Sequence, residues 1–181
     1  MKKLLVLLPL VLLEAACGPT PKEPLPPTPE LSYSSKLTPE KTTITTDDST
    51  ETTRAVVASE EDESVTYEFE LSADIYLNTK SSVANQFGVK PGASIKSVST
   101  YTVDRIIVDF YGSKGVNYDV FANAEGTGTK LESHESTIAP VDPNDGGQVL
   151  EYAINGTAWC LKNNTEFNKP SFYSITVIYS K

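Results

Sequence analysis

Residues that could carry out acid–base chemistry are few in this chain. The single histidine, His134, stands in the polar stretch ESHES, with no Cys or Asp at a diagnostic spacing. Asp104, Asp109 and Asp119 alternate around apolar runs and could in principle form a carboxylate pair that cleaves glycosidic bonds. Acids on the outward faces of strands explain them without any chemistry. We therefore predict no catalytic residue and no enzyme activity.

Of the possible metal sites, the sequence most resembles a calcium site. Asp142, Asn144 and Asp145 bring oxygen-bearing side chains together in VDPNDGG. The EF-hand spacing requires a further oxygen ligand where Gly146 stands, and its downstream Glu is missing. Asp-Pro and Asp-Gly are also ordinary turn formers. One histidine and one cysteine beyond the leader are too few for a zinc site, so we predict no metal and no cofactor.

Two aromatic residues are the candidates for ligand contact. Trp159 and Tyr152 flank Asn155-Gly156, a dipeptide typical of a two-residue hairpin turn. Rings near such a turn can form a stacking platform for a sugar, since aromatic faces bind its apolar C–H patches. The alternative is that both rings point into the core. Trp159 and Tyr152 are the predicted ligand-binding residues.

The N-terminal segment indicates export. A cationic start precedes the apolar run 4–13, which is too short to span a bilayer because a spanning helix takes about 20 residues. The small residues around Cys17 resemble the signal of bacterial lipoproteins, in which that cysteine receives a diacylglyceryl group. Glu14 departs from the pattern, which leaves secretion with cleavage after Gly18 as the alternative. With Cys17 lipidated, Cys160 has no disulfide partner and is predicted to be a small buried residue.

Residues 18–63 have the composition of a tether. Prolines crowd positions 19–29, and a stretch rich in Thr, Ser and acids follows. Such a segment predicts an extended spacer followed by a disordered chain, because it has little apolar surface to bury. Within it, Asp48-Ser49-Thr50 resembles the short O-glycosylation acceptor of Bacteroides-type bacteria, which makes Ser49 a candidate modification site.

Arg54 provides a second interpretation of the tether. Fimbrillin-like pilins of the same bacterial group are exported as lipoproteins and cut after an arginine, which frees a groove for assembly. The order of Cys17, Arg54-Ala55 and a β-rich remainder is similar to theirs. The resemblance implies processing after Arg54 and polymerisation. Upstream of Arg54, TTITTDDSTETTR offers only Ile44 as a large apolar side chain, which favours a monomer instead.

Residues 64–181 predict one all-β domain. Apolar residues alternate with polar ones in SVTYEFEL and SITVIYS, the pattern of half-buried strands. About seven or eight such strands between Gly, Pro and Asn turns indicate an antiparallel β-sandwich or jelly roll. One short helix is predicted at 81–88, because Val83 and Phe87 are spaced four apart and Gly88 follows.

Charge limits the partners. The formal net charge is −9, and nucleic acids and anionic lipids both require a basic surface. We expect a monomeric binding module in the bacterial cell envelope, lipid-anchored to the outer membrane, with a glycan or an envelope protein as its partner.

Overall fold

The chain folds into two antiparallel β-sheets. A computed structural model describes residues 31–44, 51–78, 85–111, 118–166 and 168–181. These residues form the strands β1 (Ser32–Leu37), β2 (Thr53–Ala58), β3 (Thr66–Leu71), β4 (Ile75–Asn78), β5 (Gln86–Val89), β6 (Ser94–Ser97), β7 (Thr102–Tyr111), β8 (Asp119–Phe121), β9 (His134–Glu135), β10 (Gln148–Gly156), β11 (Cys160–Lys162) and β12 (Ser171–Ser180). Short 3₁₀ turns at Pro39–Lys41 and Pro143–Asp145 are their only helical segments.

One sheet has seven strands and the other has five. The larger runs β4–β5–β12–β7–β10–β9, with β1 also on β12, and the smaller runs β2–β3–β6–β11–β8. Because β7 occupies one edge of β12, β5 and β1 share the other edge, at 171–172 and 175–180. The pairings within both sheets are antiparallel, so the predicted all-β sandwich is confirmed.

Alternate side chains of the two sheets meet in one core. The inward residues are Tyr67, Phe69 and Leu71 from β3, and Ile175, Val177 and Tyr179 from β12. The rings of Tyr67 and Tyr179 come from opposite sheets and lie 4.8 Å apart. Burying each large apolar side chain contributes about 1.5–3 kcal/mol. These are the alternating positions that the sequence predicted for the two strands.

The predicted tether over 18–63 is wrong where the structure describes it. Ser32–Leu37 pairs with β12, and Thr53–Ala58 pairs with β3 along its whole length. Backbone hydrogen bonds supply this pairing, so it does not require a continuous apolar face. Small hydroxyl side chains also suit the contact between β1 and β12, since the fully buried Ser35 hydroxyl lies 3.0 Å from the Tyr179 hydroxyl. The folded domain therefore includes β1 and β2.

One carboxylate holds β1 to the turn that follows β2. The Glu61 carboxylate accepts hydrogen bonds of 2.6 Å from the Ser34 amide, the Ser34 hydroxyl and the Ser59 hydroxyl. Partial desolvation alone would raise the pKa of Glu61, but these hydrogen bonds outweigh it and lower the pKa from 4.5 to about 2. The ionised form is therefore favoured in the folded state.

The lowered pKa of Glu61 predicts a contribution to the free energy of unfolding that is lost in acid. Its folded pKa lies below the ordinary value, so the contribution is present above pH 4.5 and is lost as the pH falls toward 2. Because the side chain is exposed, Glu61→Gln is expected to cost only about 1 kcal/mol at pH 7. Urea unfolding at pH 7, 4 and 2.5 measures the difference from the unsubstituted protein. The neighbouring Glu60→Gln is the charge-matched control, and an equal cost at every pH would contradict the prediction.

The short helix predicted at 81–88 is also wrong where the structure describes it. Gln86–Val89 is a strand with all four residues buried, and it pairs with β4 and β12. Gly88 stands there because the Tyr76 ring of β4 lies across it, and a Cβ would fall 2.1 Å from the ring. A spacing of four apolar positions cannot separate a helix from a strand that is covered on both faces. Residues 81–84 lie outside the described residues.

Asn155-Gly156 ends a strand but does not form the predicted hairpin. Asn155 has φ of 49°, as the dipeptide suggested. However, β10 belongs to the larger sheet, and the next strand, β11, pairs with β6 and β8 in the smaller one. The register of β10 on β7 shifts between Ala153 and Gly156. The dipeptide is thus a bulge at the corner where the chain crosses between sheets.

Candidate functional site

The predicted stacking platform is wrong, because both of its rings are buried. Trp159 has no exposed surface and Tyr152 is 3% exposed. The Trp159 Nε1 donates to the Tyr67 hydroxyl at 3.0 Å, and the indole meets the Phe69 ring edge-on. The ring face that would stack on a sugar is therefore occupied by the core.

Tyr152 nevertheless lines a candidate site. An open depression of about 450 Å³ lies between β8, at the edge of the smaller sheet, and β10, near the edge of the larger one. The segment that follows β8 forms its remaining wall. Its lining residues are Tyr118, Asp119, Val120, Lys130, Leu131, Glu132, Ser133 and Tyr152. The depression is thus a concave surface that combines polar and apolar groups.

Two buried tyrosines line the depression: Tyr118, directly before β8, and Tyr152 on β10. The Tyr152 hydroxyl donates to the Tyr118 hydroxyl at 3.2 Å. Burial raises the pKa of Tyr118 well above its usual value, and the neighbouring Tyr152 raises it further. Burial also raises the pKa of Tyr152, although a hydrogen bond with Ser133 opposes the shift. Both phenols therefore keep their protons at neutral pH.

Asp119 forms a fixed acceptor at the rim. Its Oδ1 pairs with the Lys130 Nζ at 2.8 Å, and its Oδ2 accepts from the Asn164 Nδ2 at 2.8 Å. The Asp119 side chain is 18% exposed, whereas that of Lys130 is 62% exposed. The carboxylate is thus held in one orientation beside the tyrosine pair while still reaching solvent.

The sequence did not reveal this group of residues. Tyr118 lies in the stretch GVNYDVFA, whose alternation indicates a core face for it, and it is buried there. Nothing in its sequence neighbourhood shows that its hydroxyl meets that of Tyr152, which is 34 residues away. Asn164 and Lys130 are likewise brought to Asp119 by the packing of three separate segments.

Arg54, the candidate processing residue, lies within β2. Its backbone is paired opposite Glu70, and its guanidinium contacts Glu68 at 3.1 Å and Glu70 at 3.7 Å. A protease requires an extended chain that is not already paired in a sheet. Cutting after Arg54 therefore requires β2 to detach from β3.

We expect the Arg54–Ala55 bond to resist an arginine-specific protease in the native protein. An opening free energy of about 1.4 kcal/mol already slows cutting tenfold, so at least a tenfold difference from the urea-unfolded chain is expected. Gel electrophoresis with mass spectrometry identifies the cut sites over time. A Thr137→Arg variant places an arginine in an exposed loop as the control. Equal rates at both sites would favour the pilin alternative.

Asp104 and Asp109, two of the acids weighed for catalysis, are not brought together. Asp104 and Asp109 stand five positions apart on β7, which is about 16 Å along a strand, and Asp119 belongs to the other sheet. A glycosidase pair requires carboxyls within about 10 Å. His134 is exposed on β9. Within the described ranges, no group of three His, Cys, Asp or Glu side chains is placed to hold a metal ion.

The calcium-like stretch is a turn. The Asp142 Oδ1 accepts from the Asn144 amide at 2.8 Å, which caps the 3₁₀ turn that follows, and Gly146 continues the turn with φ of 73°. Cys160 is buried, as predicted for a small core residue. Burial raises the pKa of its thiol. A buried thiol of this kind is a poor nucleophile.

Cys17 and Ser49 lie outside the described residues, so their predicted lipidation and glycosylation stay predictions.

No protein-family model, curated protein or solved structure matches this chain. In the part of the chain that the structure describes, no helix is long and apolar enough to cross a membrane.

Proposed function

We propose that this chain is an exported lipoprotein of the bacterial cell envelope, anchored to the outer membrane through Cys17, and that its β-sandwich is a binding module. The leader-like segment and the small residues around Cys17 support the export and the anchor. The depression between β8 and β10 supports the binding function, because it is a concave surface where several polar groups converge.

The observation that carries the proposal is the arrangement of those polar groups. The Tyr118–Tyr152 hydroxyl pair lies 3.2 Å apart in the lining of the depression, and Asp119 is fixed at the rim by two partners. Groups already held in place lose little conformational entropy when a ligand binds. The arrangement can therefore recognise a polar molecule without reorganisation of the protein.

Binding explains this site better than catalysis does. The two phenols are held as protonated groups, so neither supplies a base or a nucleophile at neutral pH. The acid at the rim is already paired with Lys130 and Asn164. These residues offer hydrogen bonds and charge, which are the means of recognition.

The test is to fill the depression. Ser133 lines it and is exposed, so Ser133→Trp will occupy its space, and it also removes the Ser133 hydrogen bond with Tyr152. Nuclear magnetic resonance of the ¹⁵N-labelled domain is followed while polysaccharide and peptidoglycan fractions of the producing bacterium are added. We expect shifts confined to amides of 118–133 and 152, and their loss in the variant.

The control is Thr137→Trp, which adds the same side chain at an exposed position that does not line the depression. It should bind as the unsubstituted domain does. If no envelope fraction shifts the amides of the depression, or if Ser133→Trp leaves the shifts unchanged, the proposed site is wrong.

A further inference from the structure

Resting on the proposed function, we infer that the ligand of the depression is a neutral polyhydroxylated molecule, a sugar residue, bound by the hydroxyls of Tyr118 and Tyr152 and by the carboxylate of Asp119. This mode of recognition does not use a stacked aromatic ring, since the rings of both tyrosines belong to the core. Hydrogen bonds from the hydroxyl ends take the place of stacking.

The tyrosine pair complements a ligand hydroxyl. Tyr152 donates its hydrogen to the Tyr118 oxygen at 3.2 Å, so the Tyr118 hydroxyl has its own hydrogen to donate. The Tyr152 oxygen already accepts from Ser133, and its second lone pair can accept from a ligand. Adjacent hydroxyls of a sugar ring each donate and accept, and they can satisfy both tyrosine oxygens at once. A ligand with only acceptors or only donors would satisfy one of the two.

Asp119 supplies the stronger acceptor. Each of its oxygens takes one hydrogen bond, from Lys130 and from Asn164, whereas an ionised carboxylate has about four lone-pair sites. The remaining sites can accept from ligand hydroxyls. Hydrogen bonds to a charged acceptor are roughly twice as strong as those to a neutral one.

The charges of the lining select against ionic ligands. Asp119 and Glu132 contribute two negative charges, and Lys130 contributes one positive charge that already contacts Asp119. An anion would meet an excess of negative charge. A cation would have to compete with Lys130 for the Asp119 carboxylate. A neutral ligand meets neither cost.

The lining also offers apolar surface for the C–H groups of a sugar. The partly buried Leu131 supplies it, and the Leu131 amide donates to the carbonyl of the buried Val120 at 2.8 Å. That backbone hydrogen bond fixes the wall beside the tyrosine hydroxyls. The depression thus combines fixed donors, a fixed acceptor and a small apolar wall.

The experiment is an array that carries neutral oligosaccharides, uronic-acid oligosaccharides and oligosaccharides with unacetylated amino groups. We expect the domain to be retained by neutral members. Tyr118→Phe and Tyr152→Phe keep the ring and remove the hydroxyl, and each is expected to weaken binding about fivefold to tenfold. Asp119→Asn is expected to weaken it more than tenfold.

The matched control is Tyr67→Phe. It removes a buried hydroxyl that bonds with Ser97 and Trp159 elsewhere in the core, so it should leave binding unchanged. If either depression variant fails to fold by circular dichroism, the partly exposed Asp119→Asn decides the question.

Three results would overturn the inference. They are retention by charged oligosaccharides alone, retention by none, and unchanged affinity in the Phe and Asn variants. Loss of envelope-fraction binding in Ser133→Trp would still support the proposed site in each case, so failure of the inference is distinguishable from failure of the proposed function.

Discussion

Replacing Trp159 with alanine is expected to lower the free energy of unfolding by about 3–5 kcal/mol. The indole is completely buried, and it packs edge-on against Phe69 at a centroid distance of 6.1 Å. Its removal leaves a cavity between the sheets. It also takes away the Nε1 donor to Tyr67, a buried hydroxyl that still retains Ser97 as a partner.

Urea unfolding followed by circular dichroism measures this cost. Trp159→Phe is the control, because it keeps an aromatic ring in the space and loses mainly volume and the hydrogen bond, so its cost should be clearly smaller. A loss below 1 kcal/mol in Trp159→Ala would show that the ring is exposed in solution. That outcome would restore the stacking platform that the sequence predicted.

A chain that begins at residue 64, the domain boundary predicted from the sequence, is expected not to fold. It lacks β1 and β2 and with them the buried side chains of Leu37, Ile44 and Val57. At about 1.5–3 kcal/mol each, these alone approach the 5–15 kcal/mol by which a typical domain is stable. It also exposes the edge of β3 along six paired residues and that of β12 at 175–180.

The comparison is between the chains 31–181 and 64–181. Their proton–nitrogen correlation spectra are recorded after purification at equal concentration. Dispersed peaks and cooperative thermal unfolding are expected for the first, and collapsed peaks or aggregation for the second. A dispersed spectrum from the shorter chain would mean that β1 and β2 are dispensable, and that the predicted boundary is adequate.

The requirement for β2 distinguishes the binding module from the pilin-like subunit. If β2 is required for folding, Arg54 lies inside the domain and not in a tether before it. Processing after Arg54 would then break a strand of the sandwich. The binding-module proposal needs no such step. Its site uses residues 118–133, 152 and 164 beside β8, and β8 is at the opposite edge of the smaller sheet from β2.

The fold class could be predicted from the sequence because its signal is local. Alternation in SVTYEFEL and SITVIYS fixes which side chains share a face of a strand, and those residues of β3 and β12 do line the core. The composition also predicted that VDPNDGG is a turn. In each case neighbouring residues contain the whole argument.

Only the tertiary structure decided what covers each face and where each edge pairs. β1 lies beside β12, with Ser35 opposite Val177, and a stretch of serines carries no sign of a partner so distant in sequence. Asn155 has the positive φ that was expected, but many turns and bulges use that conformation, so it could not reveal a crossing between sheets. The Tyr118–Tyr152 hydroxyl pair forms for the same reason. Alternation places both rings inward, and the packing of two sheets decides that their oxygens meet.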